Sequence, residues 1–191
     1  MEIGQKKLKE LFPTFANPET WRTVKSDLTP RVEWERIRRL VLERDDYSCT
    51  YCGYRAERNQ IVHHIDGDPN NNLDGNLEVV CRMCSDVLHI GRSVVVFGFA
   101  DLYRRSQYSQ NDIIRITRQM RERGAHDKEI VSFLGLQEKA PFKMDRNYLS
   151  KLFAFISSRP PKRRAPAFEH GHSSVKPRNN ITRPCTRLTA E

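Results

Sequence analysis

A chain of 191 residues with 38% hydrophobic content can build one compact domain or two small ones, and it cannot fill one large core. The formal net charge of +9 and sequence pI near 9.5 favour an anionic partner, because clustered Lys and Arg release the counterions condensed on phosphates. Stretches of roughly eighteen apolar residues are absent, and the opening MEIGQKKLKELF lacks the apolar core of a signal peptide. The expectation is therefore no membrane association and an intracellular location, cytoplasmic or nucleoid-associated. In a reducing compartment five cysteines point to metal ligation rather than to a disulfide framework.

Residues 1–30 scatter apolar positions (Leu8, Leu11, Phe12, Phe15, Trp21) among charges, and Pro13, Pro18 and Pro30 interrupt any long helix. A short helix with a strap on the main domain is expected there. Over residues 32–44 the apolar set Trp34, Ile37, Leu40 and Val41 recurs at three- and four-residue steps, which predicts an amphipathic helix. Residues 60–65 and 77–80 read as paired strands separated by a turn-rich stretch, and a short helix follows Cys84. Residues 93–99 fit either a buried strand or a helix start.

Farther along, residues 109–123 have helical spacing (Ile113, Ile116, Met120), a Ser cap and a terminal Gly124. Residues 127–134 and 145–156 read as two more helices, the last with Leu149, Leu152, Phe153 and Ile156 on one face. Three short helices suggest a bundle similar to a helix-turn-helix over residues 107–158, either binding nucleic acid or only packing on the preceding domain. From residue 159 the chain is rich in Pro, Arg, Lys, Ser and Asn with few apolar clusters, the composition of a flexible basic tail. Cys185 stands alone in it.

Cys49-Thr-Tyr-Cys52 and Cys81-Arg-Met-Cys84 form two C-x-x-C knuckles, each able to present two thiolates from one tight turn to a shared tetrahedral zinc. Gly53 suits the turn that wraps the metal. Between the knuckles lies IVHHIDGDPNNNLDGNLEVV. Phosphodiester cleavage needs a base to activate water and positive charge to stabilise the anionic transition state, which an imidazole and a divalent metal supply. Adjacent residues on a strand point to opposite faces, so His63 and His64 need a kink to serve one cleft. As plain strand residues, either His needs only a satisfied hydrogen bond.

The order of these features resembles the HNH endonucleases (ββα-metal, His-Me finger): a helix leading to C-x-x-C-G, a strand ending in paired His, a polar loop, Asn-Leu before the second C-x-x-C, and a final His. The likeness covers about residues 34–90. It implies an α+β fold with a small zinc-built nuclease domain over residues 31–106. It also implies DNA phosphodiester hydrolysis, with His64 as general base, Asn76 tying down the loop, and His63 and His89 on a catalytic Mg²⁺ or Mn²⁺, with Zn²⁺ as the alternative. Ser85 departs from the pattern, standing where many zinc-knuckle members carry a His ligand, and Asp86 is a substitute ligand if the helix register differs. The alternative reading is a catalytically weakened zinc protein serving as a nucleic-acid-binding or scaffold component of a larger complex.

Partners expected on this reading are nucleic acid, DNA before RNA, and a protein docking on the helical segment or the tail. Arg36 and Arg39, with Arg38 and Arg44 on the same helix, and Arg146 and Lys151 farther on, are candidate phosphate contacts; a solvated helix face explains the first group nearly as well. The Asn residues at 70, 71 and 72 read as turn formers, and Asp66 and Asp68 as turn or capping residues.

Overall fold

The computed structural model describes residues 8–18 and 30–158; Trp21, Cys185 and the basic tail from residue 159 lie outside them. Helix α1 (Arg31–Arg44) leads to the first knuckle, and the hairpin of β1 (Ile61–His64) and β2 (Leu77–Val80) follows. Helix α2 (Arg82–Leu88) carries the second knuckle into a wide π-helical turn over Arg92–Phe97 that Gly98 ends with φ +66°. Then come β3 (Ala100–Arg105), α3 (Gln110–Glu122), α4 (Asp127–Phe133), β4 (Gln137–Ala140), α5 (Arg146–Leu149) and β5 (Phe153–Ile156).

The antiparallel hairpin pairs Ile61 with Val80, Val62 with Val79, His63 with Glu78 and His64 with Leu77. Directly paired residues share a face of the sheet. One face, Val62, Leu77 and Val79, packs on Trp34, Ile37, Val41 and Leu42 of α1. On the other, Ile61 and Val80 join the core that holds the four cysteines and Val87 of α2. The hairpin is thus a layer between two helices. The α1 stripe is shifted from the sequence expectation: Leu40 is 53% exposed, while Leu42 is buried. Trp34, Ile37 and Val41 recur at helical spacing, and Leu40 lies about 100° off Val41 on the helix wheel.

Two expectations are corrected beyond residue 99. Residues 107–158 are not a helical bundle: β4 and β5 flank β3 in a three-stranded antiparallel sheet. The stretch expected as a helix over residues 145–156 is one turn of helix followed by strand β5. The expected boundary at 106/107 also cuts this sheet, because β3 precedes it and both partners follow. Leu102, Ile114, Leu149, Ala154 and Ile156 share one buried cluster with the knuckle cysteines, so the two knuckles and the sheet are packed on a common core. The expected helix in the N-terminal region is absent from residues 8–17, which run as an extended strap. Lys9 N donates to Thr50 O, Thr14 N to Val87 O and Leu11 N to the Asn111 side chain, and Leu11 is buried.

Helix α3 begins as its sequence dictates. The Ser109 side chain accepts from the Asp112 amide, and Gly124 takes φ +86° just past the last turn. Gln110 on its first turn bonds both backbone groups of Ala154, with Nε2 donating at 2.9 Å and Oε1 accepting at 2.7 Å. That amide satisfies the outer edge of β5, which would otherwise leave buried peptide groups unpaired.

Candidate functional site

The four knuckle cysteines are buried and free of disulfides, and their Sγ atoms all lie within 4.8 Å of one another. Cys52 Sγ and Cys81 Sγ are 3.6 Å apart. Four sulfurs at about 2.3 Å from a tetrahedral zinc stand about 3.8 Å from each other, so the donor set fits that ion. Burial and crowding of four thiols split their acidities: hydrogen bonds from the other three sulfurs push the Cys49 thiol down, while those neighbours push Cys84 up. A divalent cation removes the conflict by holding every sulfur as thiolate. The first knuckle turns at Gly53, φ +74°, whose amide donates to Cys49 O at 2.9 Å.

His63 and His64 sit on opposite faces of the hairpin. His64 points to α1, where its ring stacks on Trp34 with centroids 5.4 Å apart, and its Nε2 is 2.9 Å from Asn72 Oδ1. His63 points to α2 and meets the ring of His89 edge to face at 5.3 Å. Strand β1 carries no kink; both residues hold regular cross-strand partners. The two histidines do not converge on one cleft.

Beside His63 stands Glu78, a buried carboxylate that the sequence reading passed over. Its Oε1 accepts from the Tyr51 hydroxyl at 2.8 Å, its Oε2 accepts from Lys9 Nζ at 2.8 Å, and Oε1 lies 3.4 Å from His63 Nδ1. Burial pushes the Glu78 pKa up, but the His63, Lys9 and Tyr51 contacts outweigh it and hold the group below the ordinary carboxylate range. His63 Nδ1 is buried without a well-formed hydrogen bond. His89 caps α2, and burial, with the charges of His63 and Arg92, lowers its pKa to about 4. It is neutral at physiological pH.

These residues do not form a divalent-metal cradle. Among the described residues, only the cysteines bring three or more His, Cys, Asp or Glu donors within 4.8 Å. Ser85 is buried on α2, and Asp86 pairs with Arg82 at 3.2 Å. Glu78 already serves two donors. Among the described residues no third His, Cys, Asp or Glu donor joins His63 and His89, so a Mg²⁺ or Mn²⁺ held there would take its remaining ligands from water or phosphate.

Asn76 closes a short 3₁₀ turn before β2 and binds the loop over residues 66–72: its Nδ2 donates to Asp66 Oδ1 at 2.9 Å and Asn71 O at 2.8 Å, and its Oδ1 accepts from Asp66 N at 3.1 Å. Asp66 is held well ionised, first by the Asp68 amide and then by Asn76 and Asn71. Arg44 is likewise used internally, donating to Asp74 O, Asp74 Oδ1, Leu77 O and Asp45 Oδ2 at 2.7–2.9 Å. Arg38 donates to Gln60 O, and Arg146 lies over the Phe15 ring at 5.5 Å. Arg36, Arg39 and Lys151 are exposed. Arg146 is exposed as well, although its guanidinium rests on Phe15.

Sequence reasoning also passed over Trp34 and Tyr51 as site residues and Lys9, Asn111 and Arg118 as supports. A charged residue inside the otherwise apolar LEVV was a readable signal for Glu78; the roles of Lys9, Asn111 and Arg118 depend on long-range packing.

No helix of the described residues is long and apolar enough to cross a membrane. Comparison with known protein families returns no match. Among curated proteins the chain is similar to the Type 4 apparatus protein DotN of Legionella pneumophila, 30% identical over 84 residues, which are 44% of this chain. The match spans 38% of the length of that relative, so the likeness covers a part of each protein.

Proposed function

We propose that this chain is a non-catalytic, zinc-built scaffold component of a multiprotein assembly, on a framework that resembles the HNH nucleases. The observation that carries the proposal is the opposite facing of His63 and His64. A base and a metal-bound phosphate must meet at one atom, and side chains on two sides of a hairpin cannot do so without rebuilding it. Glu78, Tyr51 and Lys9 fill the space beside His63 with a closed polar network, which serves stability and not turnover. The partial likeness to an apparatus protein supports an assembly role.

The second reading, a metal-dependent endonuclease acting on DNA, draws on the Asn76-anchored loop and the immobilised His64, features that the HNH resemblance assigns to catalysis. Cleavage of supercoiled plasmid and single-stranded DNA by zinc-loaded protein, with Mg²⁺, Mn²⁺ or EDTA, separates the two. The scaffold reading predicts cutting no faster than the buffer control. Metal-dependent cutting that His64→Ala abolishes would establish the nuclease.

A further inference from the structure

Helix α3 lies outside the two knuckles, yet it sends side chains into both. Asn111, Ile114 and Arg118 stand on one helical face at steps of three and four residues. Asn111 Nδ2 donates to Tyr51 O at 2.7 Å and to Lys9 O at 2.8 Å. Two turns farther, Arg118 Nη2 donates to Cys81 Sγ at 3.2 Å, and the guanidinium carbon sits 3.6 Å from the centroid of the Tyr54 ring. Tyr54 follows the first knuckle, and its carbonyl accepts from the Cys49 amide at 3.0 Å. One guanidinium thus touches a sulfur of the second knuckle and the ring that follows the first.

The neighbouring arginines behave differently. Arg115 pairs with Asp112 and Arg121 with Asp127, whereas among the described residues no carboxylate pairs with Arg118. Its charge is left for the sulfur cluster. Four thiolates on one zinc carry a net charge of minus two in a buried site, and an unscreened charge there is costly. A guanidinium supplies both compensating charge and a directed N–H. That hydrogen bond draws density from the sulfur lone pairs, so the thiolate is less readily captured by competing electrophiles and leaves the metal more slowly.

We infer that Arg118 is a positioning residue of the zinc centre: it holds the Cys81 thiolate on the metal through N–H···S and charge, and it ties both knuckles to α3. Zinc retention and the seating of α3 are then coupled. The inference rests on the reading of the four cysteines as a zinc site, and it is independent of whether the protein cuts DNA.

The test uses the full chain loaded with Co²⁺, whose sulfur-to-metal charge-transfer band reports the electron density on the thiolates, and the zinc form mixed with a chromogenic chelator. Arg118→Met keeps an apolar stem over Tyr54 and removes the charge and the donor. It is expected to move the band to longer wavelength and to speed zinc release about tenfold, the size expected for one charge-assisted hydrogen bond. Arg118→Lys returns a charged donor without the planar fork, so the band stays at its native position while release is faster than native. A general loosening of the fold accelerates release without moving the band.

An Arg118→Met protein with the native band would overturn the inference, whether release stays within about twofold of native or is accelerated by a loosened fold. If that variant does not load, Arg118→Gln decides: its neutral N–H donor should move the band part of the way to longer wavelength, and a native band overturns the inference. Failure of native protein to give any thiolate band with Co²⁺ would instead refute the zinc reading on which the inference stands.

Discussion

His63 and Glu78 are direct cross-strand partners, with Nδ1 and Oε1 3.4 Å apart on the face of the hairpin that packs on α2. Because register fixes this pairing, it also fixes its counterpart: His64 and Leu77 must lie on the α1 face, where Trp34 stacks on the imidazole. A one-residue slip of β1 would exchange the two histidines and turn Val62 away from Val41 and Leu42, which makes the observed register strongly preferred. The opposite placement of His63 and His64 follows from it.

Glu78 should be a stability residue. Glu78→Ala leaves the Tyr51 hydroxyl and the buried side of His63 without a partner, while Lys9, half-exposed, turns to water. We expect a loss of about 2 kcal/mol in chemical denaturation, with zinc content unchanged. A melt like that of the native protein would mean that the network contributes nothing net.

Stability should fall on mild acidification through His89. Its pKa in the fold is about 4, below the ordinary 6.5, so the unfolded chain takes up a proton first as pH falls. The contribution is fully present above the unfolded value and is lost progressively down to the folded one, reaching about 2 kcal/mol at pH 5. His89→Gln should flatten the difference in stability between pH 7.5 and pH 5 by that amount, read by urea denaturation with zinc in excess. Equal slopes in the two proteins would refute the assignment.

Asn111 joins α3 to the strap and to the first knuckle. Asn111→Ala strands the buried Leu11 amide and Tyr51 carbonyl, at a cost of about 2 kcal/mol. The strap over residues 8–17 should become the first site of limited proteolysis, cut several times faster than in the native chain. Unchanged strap protection would show that Leu11 burial alone holds it.

Cys84→Ser should abolish cooperative folding, because zinc binding supplies on the order of 10 kcal/mol in sites of this kind and Cys84 is completely buried in the shared core. Calorimetry and metal analysis decide: a cooperative melt with one zinc retained contradicts the structural role.

The zinc module was legible in the sequence because its signals are local. The C-x-x-C turns and Gly53 each specify a conformation within a few residues, as the Ser109 cap and Gly124 do for α3. Residues 145–156 were misread for a physical reason: Leu149, Leu152, Phe153 and Ile156 match a helical period, yet the unbroken run Phe153-Ala-Phe-Ile suits a strand buried on both sides just as well. Only pairing with β3 resolves it. At the site, the alternation argument foresaw that His63 and His64 would diverge without a kink, whereas the HNH resemblance required them to cooperate. Glu78 escaped notice because its partners Lys9, Tyr51 and His63 are 69, 27 and 15 residues away, a placement that no short window contains.

The most direct measurement is binding of Mn²⁺ to zinc-loaded protein followed by electron paramagnetic resonance, beside His89→Ala. The scaffold account predicts no saturable Mn²⁺ site that depends on His89, because among the described residues no third protein donor joins His63 and His89. A stoichiometric site that disappears in His89→Ala would contradict it and restore the metal-dependent nuclease.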